Sequence, residues 1–134
     1  MAQKYIEGDV VMYDNKIMVV KEPRDGSHFD LSCHKEGLVY CFVDVDEIKP
    51  VSLTSAILEK NGWEHTHDGI YELTDVFLGG DPCDEDNYAM LTLYSDYDMW
   101  YIEKNLEFIK GDIKYVHQLQ HLLFGLGINH EMEV

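Results

Sequence analysis

The spacing of apolar positions changes along this chain from alternation to a helical period, and the change predicts two β-rich stretches before one long helix. Residues 5–13, Y-I-E-G-D-V-V-M-Y, and Ile17–Val20 flank Asp14-Asn15-Lys16, the composition of a hairpin. Pro23–Ser27 carries Pro, Asp, Gly and Ser and predicts a loop. His28–Ser32 and Leu38–Val43 around Lys35-Glu36-Gly37 predict a second hairpin, and Asp44–Pro50 leaves through a short segment centred on Ile48. Several short strands in so few residues fit a small SH3-like barrel or a strongly curled sheet, an architecture that hosts many unrelated roles.

Thr54-Ser55 can cap a short helix through Asn61, with Gly62 as its stop and Ile57 and Leu58 on its buried face. Trp63–His67 and Ile70–Leu78 then flank Asp68-Gly69, a strong hairpin signal. Tyr88–Tyr94, Met99–Lys104 and Leu106–Ile109 read as three further strands, with turns at Ser95–Asp98 and Asn105. Alternation puts Ala89, Leu91 and Leu93 on one face, opposite Tyr88, Met90, Thr92 and Tyr94. It likewise opposes Trp100 and Ile102 to Met99 and Tyr101. One face should meet the helix, and the other offers a Tyr/Trp surface of the kind enriched at interfaces, with Trp100 and Tyr101 as binding candidates. Ile128–Val134 is expected as a last edge strand whose Glu131 and Glu133 discourage pairing.

The helical period is clearest over Asp112–Gly127, with Asp112 suited to the N-cap and Gly127 to the left-handed stop. Tyr115, Val116, Leu119, Leu122, Leu123 and Leu126 fall within an arc of roughly 120° and predict the buried stripe. The opposite side carries His117, Gln120, His121 and Phe124, the candidate binding face. His117 and His121 stand four apart, a spacing that can hold zinc, and His65 and His67 alternate on a strand. A four-histidine metal site is therefore an alternative to no metal at all. Gln118 stands where an H-E-x-x-H protease has its glutamate, so that reading is unsupported. The fold class expected is α+β: an SH3-like β unit over 1–50, then a 51–134 unit of short helix, antiparallel strands and the helix 112–127. The two are open to being one continuous domain.

Charge narrows the function. The formal charge is −16, and Arg24 is the only arginine. Residues 1–50 hold six basic and ten acidic side chains, and residues 51–134 hold four and sixteen, so the balance runs from −4 to −12. Direct phosphate binding to nucleic acid and attachment to an anionic membrane are disfavoured, and a basic partner is permitted. Cys33, Cys41 and Cys83 lack metal-type spacing and read as the free thiols of a cytoplasmic protein; no leader or apolar span is expected. The acidic loop Gly79–Asn87 has part of a calcium-loop spacing but lacks its central glycine and closing glutamate. No P-loop or nucleophile elbow is present.

The stretch K-Y-V-H-Q-L-Q-H-L-L-F resembles a Y-x-H-x-L-Q-N-L-Y-F signature in small uncharacterised proteins of gut-bacterial phages and mobile elements. Those proteins tend also to carry G-D-x-V-x-Y…K-I-x-x-V and V-x-L-T-x-x-I-L-E-K-N-G-W/F, here Gly8–Val20 and Val51–Trp63. His121 departs from the usual Asn, which argues against a family-wide zinc role. The resemblance implies genomic context and a shared fold, and brings no activity. The leading expectation is thus a non-enzymatic phage or mobile-element accessory protein, an acidic module that binds a host protein, with DNA mimicry as one form. The alternatives are a sponge for a small ligand or nucleotide and a metal-dependent enzyme built on the histidines. No cofactor is expected, and a homodimer is open.

Overall fold

The computed structural model describes residues 4–33, 37–96 and 99–134. The protein is α+β, with two five-stranded antiparallel sheets and one principal helix. It divides into two compact units. The first comprises Met1–Ser52, Tyr115–His121 and His130–Val134; the second comprises Leu53–Lys114 and Leu122–Asn129. The first break falls two residues beyond the expected 50/51 position, but the last 20 residues do not stay with one unit: the helix is divided between both.

In the first unit the strands are β1 (Val10–Tyr13), β2 (Lys16–Asp25), β3 (His28–Cys33), β4 (Leu38–Asp44) and β5 (Lys49–Pro50). Their order is β4-β3-β2-β1-β5, an open sheet among the described residues and not a closed barrel. Asp14 and Asn15 take φ of 52° and 60° between paired Tyr13 and Lys16, the two-residue turn whose twist suits a hairpin. Of the second predicted turn, Lys35 and Glu36 lie outside the described residues. Pro23 does not open a loop. It pairs with Phe29 inside β2 between two register shifts, where irregular pairing tolerates a residue without an N–H. Asp30 is buried in β3 and holds the β4 bulge: it accepts from the Phe42 N–H at 2.9 Å, and Phe42 has φ of 57°. Arg24 closes on the same carboxylate at 2.6 and 2.8 Å, and its hydrogen bond holds Asp30 below the usual carboxylate range. Tyr5, Val11, Met18, Val20, Phe29, Leu31, Cys33, Val43 and Ile48 form the core, each worth about 1.5–3 kcal/mol when fully buried.

In the second unit α1 (Ser55–Lys60) starts where Thr54 Oγ1 accepts from the Ile57 N–H at 3.3 Å, and stops before Gly62 at φ 87°. Strands β6 (Glu64–His67), β7 (Ile70–Phe77), β8 (Tyr88–Asp96), β9 (Met99–Lys104) and β10 (Glu107–Ile113) form a meander in sequence order. Leu106 is not in a strand: with Asn105 it makes a left-handed two-residue turn, φ 70° and 50°. Ser95 and Asp96 extend β8, and the other half of that predicted turn, Tyr97 and Asp98, lies outside the described residues. Ala89, Leu91, Leu93, Trp100 and Ile102 are buried, as alternation requires.

The principal helix α2 runs Val116–Gly125, four residues later than expected. Asp112 lies inside β10 with φ of 56° and caps nothing in the helix. Tyr115 precedes the first turn instead, and Gln118 Oε1 accepts from its N–H at 3.0 Å, the return half of a capping box. Gly127 ends the helix as predicted: φ is 74°, its N–H reaches Phe124 O at 3.0 Å, and the Ile128 N–H reaches Leu123 O at 2.9 Å. No strand forms over residues 128–134, because Gln120 and Glu7 take up His130 from either side. The buried stripe is also rotated. Val116, His117, Leu119, Gln120 and Leu123 are buried, whereas Tyr115, Leu122 and Leu126 are half-buried. No helix among the described residues is long and apolar enough to cross a membrane.

Leu119 is fully buried, so Leu119→Ala should lower urea stability by about 2–5 kcal/mol, with Leu122→Ala costing less than half as much. Equal costs would mean that the stripe lies where the wheel, not the structure, puts it.

Candidate functional site

A buried polar cluster is built on a tight turn, Ile6–Asp9. The Asp9 N–H reaches Ile6 O at 3.1 Å, and Gly8 at φ 93° gives the turn its left-handed residue. A Cβ at Gly8 would also lie 3.0 Å from His130 Nε2, so both backbone and space require glycine. Backbone bonds to Val20 on either side anchor the turn: Gly8 N–H to Val20 O at 2.8 Å, and Val20 N–H to Asp9 O at 2.9 Å.

Gln120 then closes the turn from the helix. Its Oε1 accepts from the Val10 N–H at 2.8 Å, and its Nε2 donates to Gly8 O at 2.8 Å and His130 O at 2.9 Å. The Asp9 carboxylate is wholly buried; its Oδ2 accepts from the Ile6 N–H at 2.9 Å and meets His121 Nε2 at 2.5 Å. His117 packs edge-on to Tyr5 at 5.0 Å between centroids and parallel to Tyr115 at 5.9 Å. Burial lowers its imidazole pKa to about 4, although Asp9 pulls the other way, so His117 is neutral at pH 7. Burial, and next the Asp9 charge, raises the Tyr5 hydroxyl above its ordinary value. Tyr5 Oη, Asp9 Oδ1 and His117 Nδ1 find no protein partner. The cluster joins chain segments and keeps one histidine uncharged.

The predicted helix face is therefore not one surface. Gln120 is buried with its amide fully partnered and His117 with its ring packed on Tyr5 and Tyr115; His121 is one-third exposed and Phe124 is 59 % exposed. Trp100 is buried too: its indole N–H points to Leu53 O at 3.4 Å, and its ring meets Tyr71 at 5.7 Å. Of the sheet pair, Tyr101 is half-buried. His65 and His67 belong to the second unit and His117 and His121 to the first. A bulge between His65 and His67 breaks their alternation, and His65 stacks on Tyr71 at 4.8 Å. Among the described residues no three His, Cys, Asp or Glu side chains are grouped to hold a metal ion. In the acidic loop, Asp81 and Asp84 accept from the N–H groups of Cys83 and Asp86 at 2.9 and 3.0 Å, so these carboxylates order the loop. Cys33, Cys41 and Cys83 are free thiols.

A second constellation lies on the outer face of the second sheet. Tyr94 and Tyr101 pair across β8 and β9 with rings nearly parallel, 4.7 Å and 8°. Phe108 continues them at 6.3 Å from Tyr101 and is 67 % exposed. Beside the stack, Glu72, Thr92 and Glu103 occupy one row across three strands. Alternation was enough to place Thr92 and Tyr94 on one face. The register that sets Tyr94 against Tyr101 arises because β8 runs on through Asp96, into the turn expected at Ser95–Asp98. Asp9 had a signal as well, in the Gly8-Asp9 pair of the resemblance, but nothing in the sequence joined it to His121.

No family model matches this chain, and no curated protein or solved structure matches it either.

Two measurements probe the cluster. Gln120→Leu leaves the Val10 N–H and the Gly8 and His130 carbonyls without their partner and should cost about 3 kcal/mol or more, whereas Gln118→Ala, which removes one cap, should cost about 1 kcal/mol. A Gln120→Leu cost under about 1 kcal/mol would mean that the clamp is open in solution. For His117 the folded pKa lies below the ordinary 6.5, so the unfolded chain takes up the proton first. Its contribution is complete above about pH 6.5 and falls away toward pH 4, by at most about 3 kcal/mol. His117→Phe keeps a ring against Tyr5 and should flatten that part of the stability–pH curve; parallel curves would refute a buried neutral imidazole.

Proposed function

We propose that the protein is a non-enzymatic, acidic protein-binding module, and that its partner docks on the outer face of the second sheet. The observation that carries this reading is the half-buried Tyr94–Tyr101 stack, extended by exposed Phe108, on a sheet whose other face is buried. Clustered exposed aromatics are the part of a surface that gains most when a partner covers it. The charge of −16 favours a basic partner and works against a second copy of the chain. Resemblance to phage and mobile-element proteins supports an accessory role toward a host protein. The carboxylate excess supports DNA mimicry as its form.

Two finer readings accompany it. An SH3-like first unit is supported by the order β4-β3-β2-β1-β5 and by the 3-10 turn Val45–Glu47 just before β5. A cytoplasmic site of action is supported by three free cysteines.

Capture from bacterial lysate tests the docking face. The wild-type chain and Phe124→Ser should retain the same dominant protein. The double variant Tyr101→Ser/Phe108→Ser should lose it while still unfolding cooperatively, at a cost of about 1–2 kcal/mol from the lost cross-strand stack. Equal capture by the double variant refutes the docking face. Competition by duplex DNA identifies a mimic.

A further inference from the structure

We propose that the outer face of the second sheet holds a seat for an arginine side chain of the partner, built from Glu72, Thr92, Tyr94, Tyr101 and Glu103. The inference rests on the reading above, that this face meets a basic protein, and names the group that is recognised.

The seat follows from register. Glu72 pairs with Thr92 across β7 and β8, and Thr92 pairs with Glu103 across β8 and β9. Two carboxylates thus flank one hydroxyl, each about 4.8 Å of strand spacing away. In the adjoining row Tyr94 pairs with Tyr101, and their rings lie parallel at 4.7 Å. The Tyr94 hydroxyl donates to Glu103, which joins the two rows. That hydrogen bond, with burial and the nearby Glu103 and Glu72 charges, raises the Tyr94 pKa. Thr92 is buried, and its Oγ1 has no protein partner. No lysine or arginine stands in either row to neutralise the pair.

Two nearby carboxylates, aromatic faces and a hydroxyl acceptor match one common side chain. A guanidinium is planar, stacks on tyrosine rings and donates several N–H bonds in a fork to carboxylates. A lysine ammonium is a compact charge that matches the carboxylates but stacks poorly. An anionic ligand is repelled. A second copy of this chain does not supply the group either, because Arg24 is its only arginine and is closed on buried Asp30 at 2.6 Å.

The test is an NMR titration of the full chain at constant ionic strength with the capped tripeptide Gly-Arg-Gly and its lysine, citrulline and norleucine counterparts. The arginine peptide should shift Thr92, Tyr94 and Tyr101 selectively and bind several-fold tighter than the lysine peptide, with citrulline weaker still and norleucine silent. Glu103→Gln keeps an acceptor for Tyr94, and Glu72→Gln changes only the charge; each should weaken the arginine peptide about fivefold. Thr92→Val should weaken it too without loss of stability, since the hydroxyl it removes has no partner in the free protein. Equal shifts by arginine and lysine, shifts spread over the whole acidic surface, or no effect of Glu103→Gln would overturn the seat. If the seat fails while Tyr101→Ser/Phe108→Ser still abolishes capture, the docking face stands without arginine recognition. If capture is also unchanged, both readings fall.

Discussion

The first unit depends on one side-chain amide. Gln120, itself buried, joins Gly8, Val10 and His130, groups as far as 112 residues from it in the chain, with three hydrogen bonds. Closing so long a loop costs chain entropy, and leaving any of those groups unpaired after burial costs more. Its neighbours follow from that closure. Asp9 is buried as a carboxylate because Ile6 and His121 meet it, and His117 is buried neutral because a ring, not a charge, fits beside Tyr5. Part of a polar helix face is buried here because the Gln120 amide finds an answering group for each of its bonds.

The second unit is built in the opposite way. Its five strands each pair with their neighbours in sequence, so each pairing is local and little entropy is lost in bringing strands together. A meander of this kind needs only one apolar face to be stable. Leu91, Leu93 and Ile102 supply it, and the other face is free to carry Tyr94, Tyr101, Phe108 and their carboxylates. Stability and recognition can then change independently, since substitutions on the outer face leave the buried one intact.

Most of the local structure was legible in the residues. Asp14-Asn15, Asp68-Gly69 and Asn105 marked turns because they accept left-handed or tight backbone at low cost. Thr54 marked a helix start and Gly62 and Gly127 marked helix ends for the same kind of local reason. The misreadings share a cause. Asp112 has the chemistry of a cap, but β10 continues through it and the helix starts where Tyr115 bridges to Ser52. Ile128–Val134 has strand composition, but it forms no strand, and its His130 carbonyl is taken up by Gln120. Trp100 and Gln120 were both expected on binding faces and both are buried, the aromatic in the sheet and the amide as a fastener.

The sequence by itself determined the α+β class, the hairpins, the inner face of the second sheet, the acidic charge and the residue types on the helix. Those depend on periodicity, turn chemistry and composition, which act over a few residues. Only the tertiary structure decided which polar residues are buried, which way α2 is rotated, and which side chains stand side by side across β7, β8 and β9. Those outcomes depend on partners distant in sequence, and a polar side chain carries no mark of whether water or a distant backbone group will satisfy it.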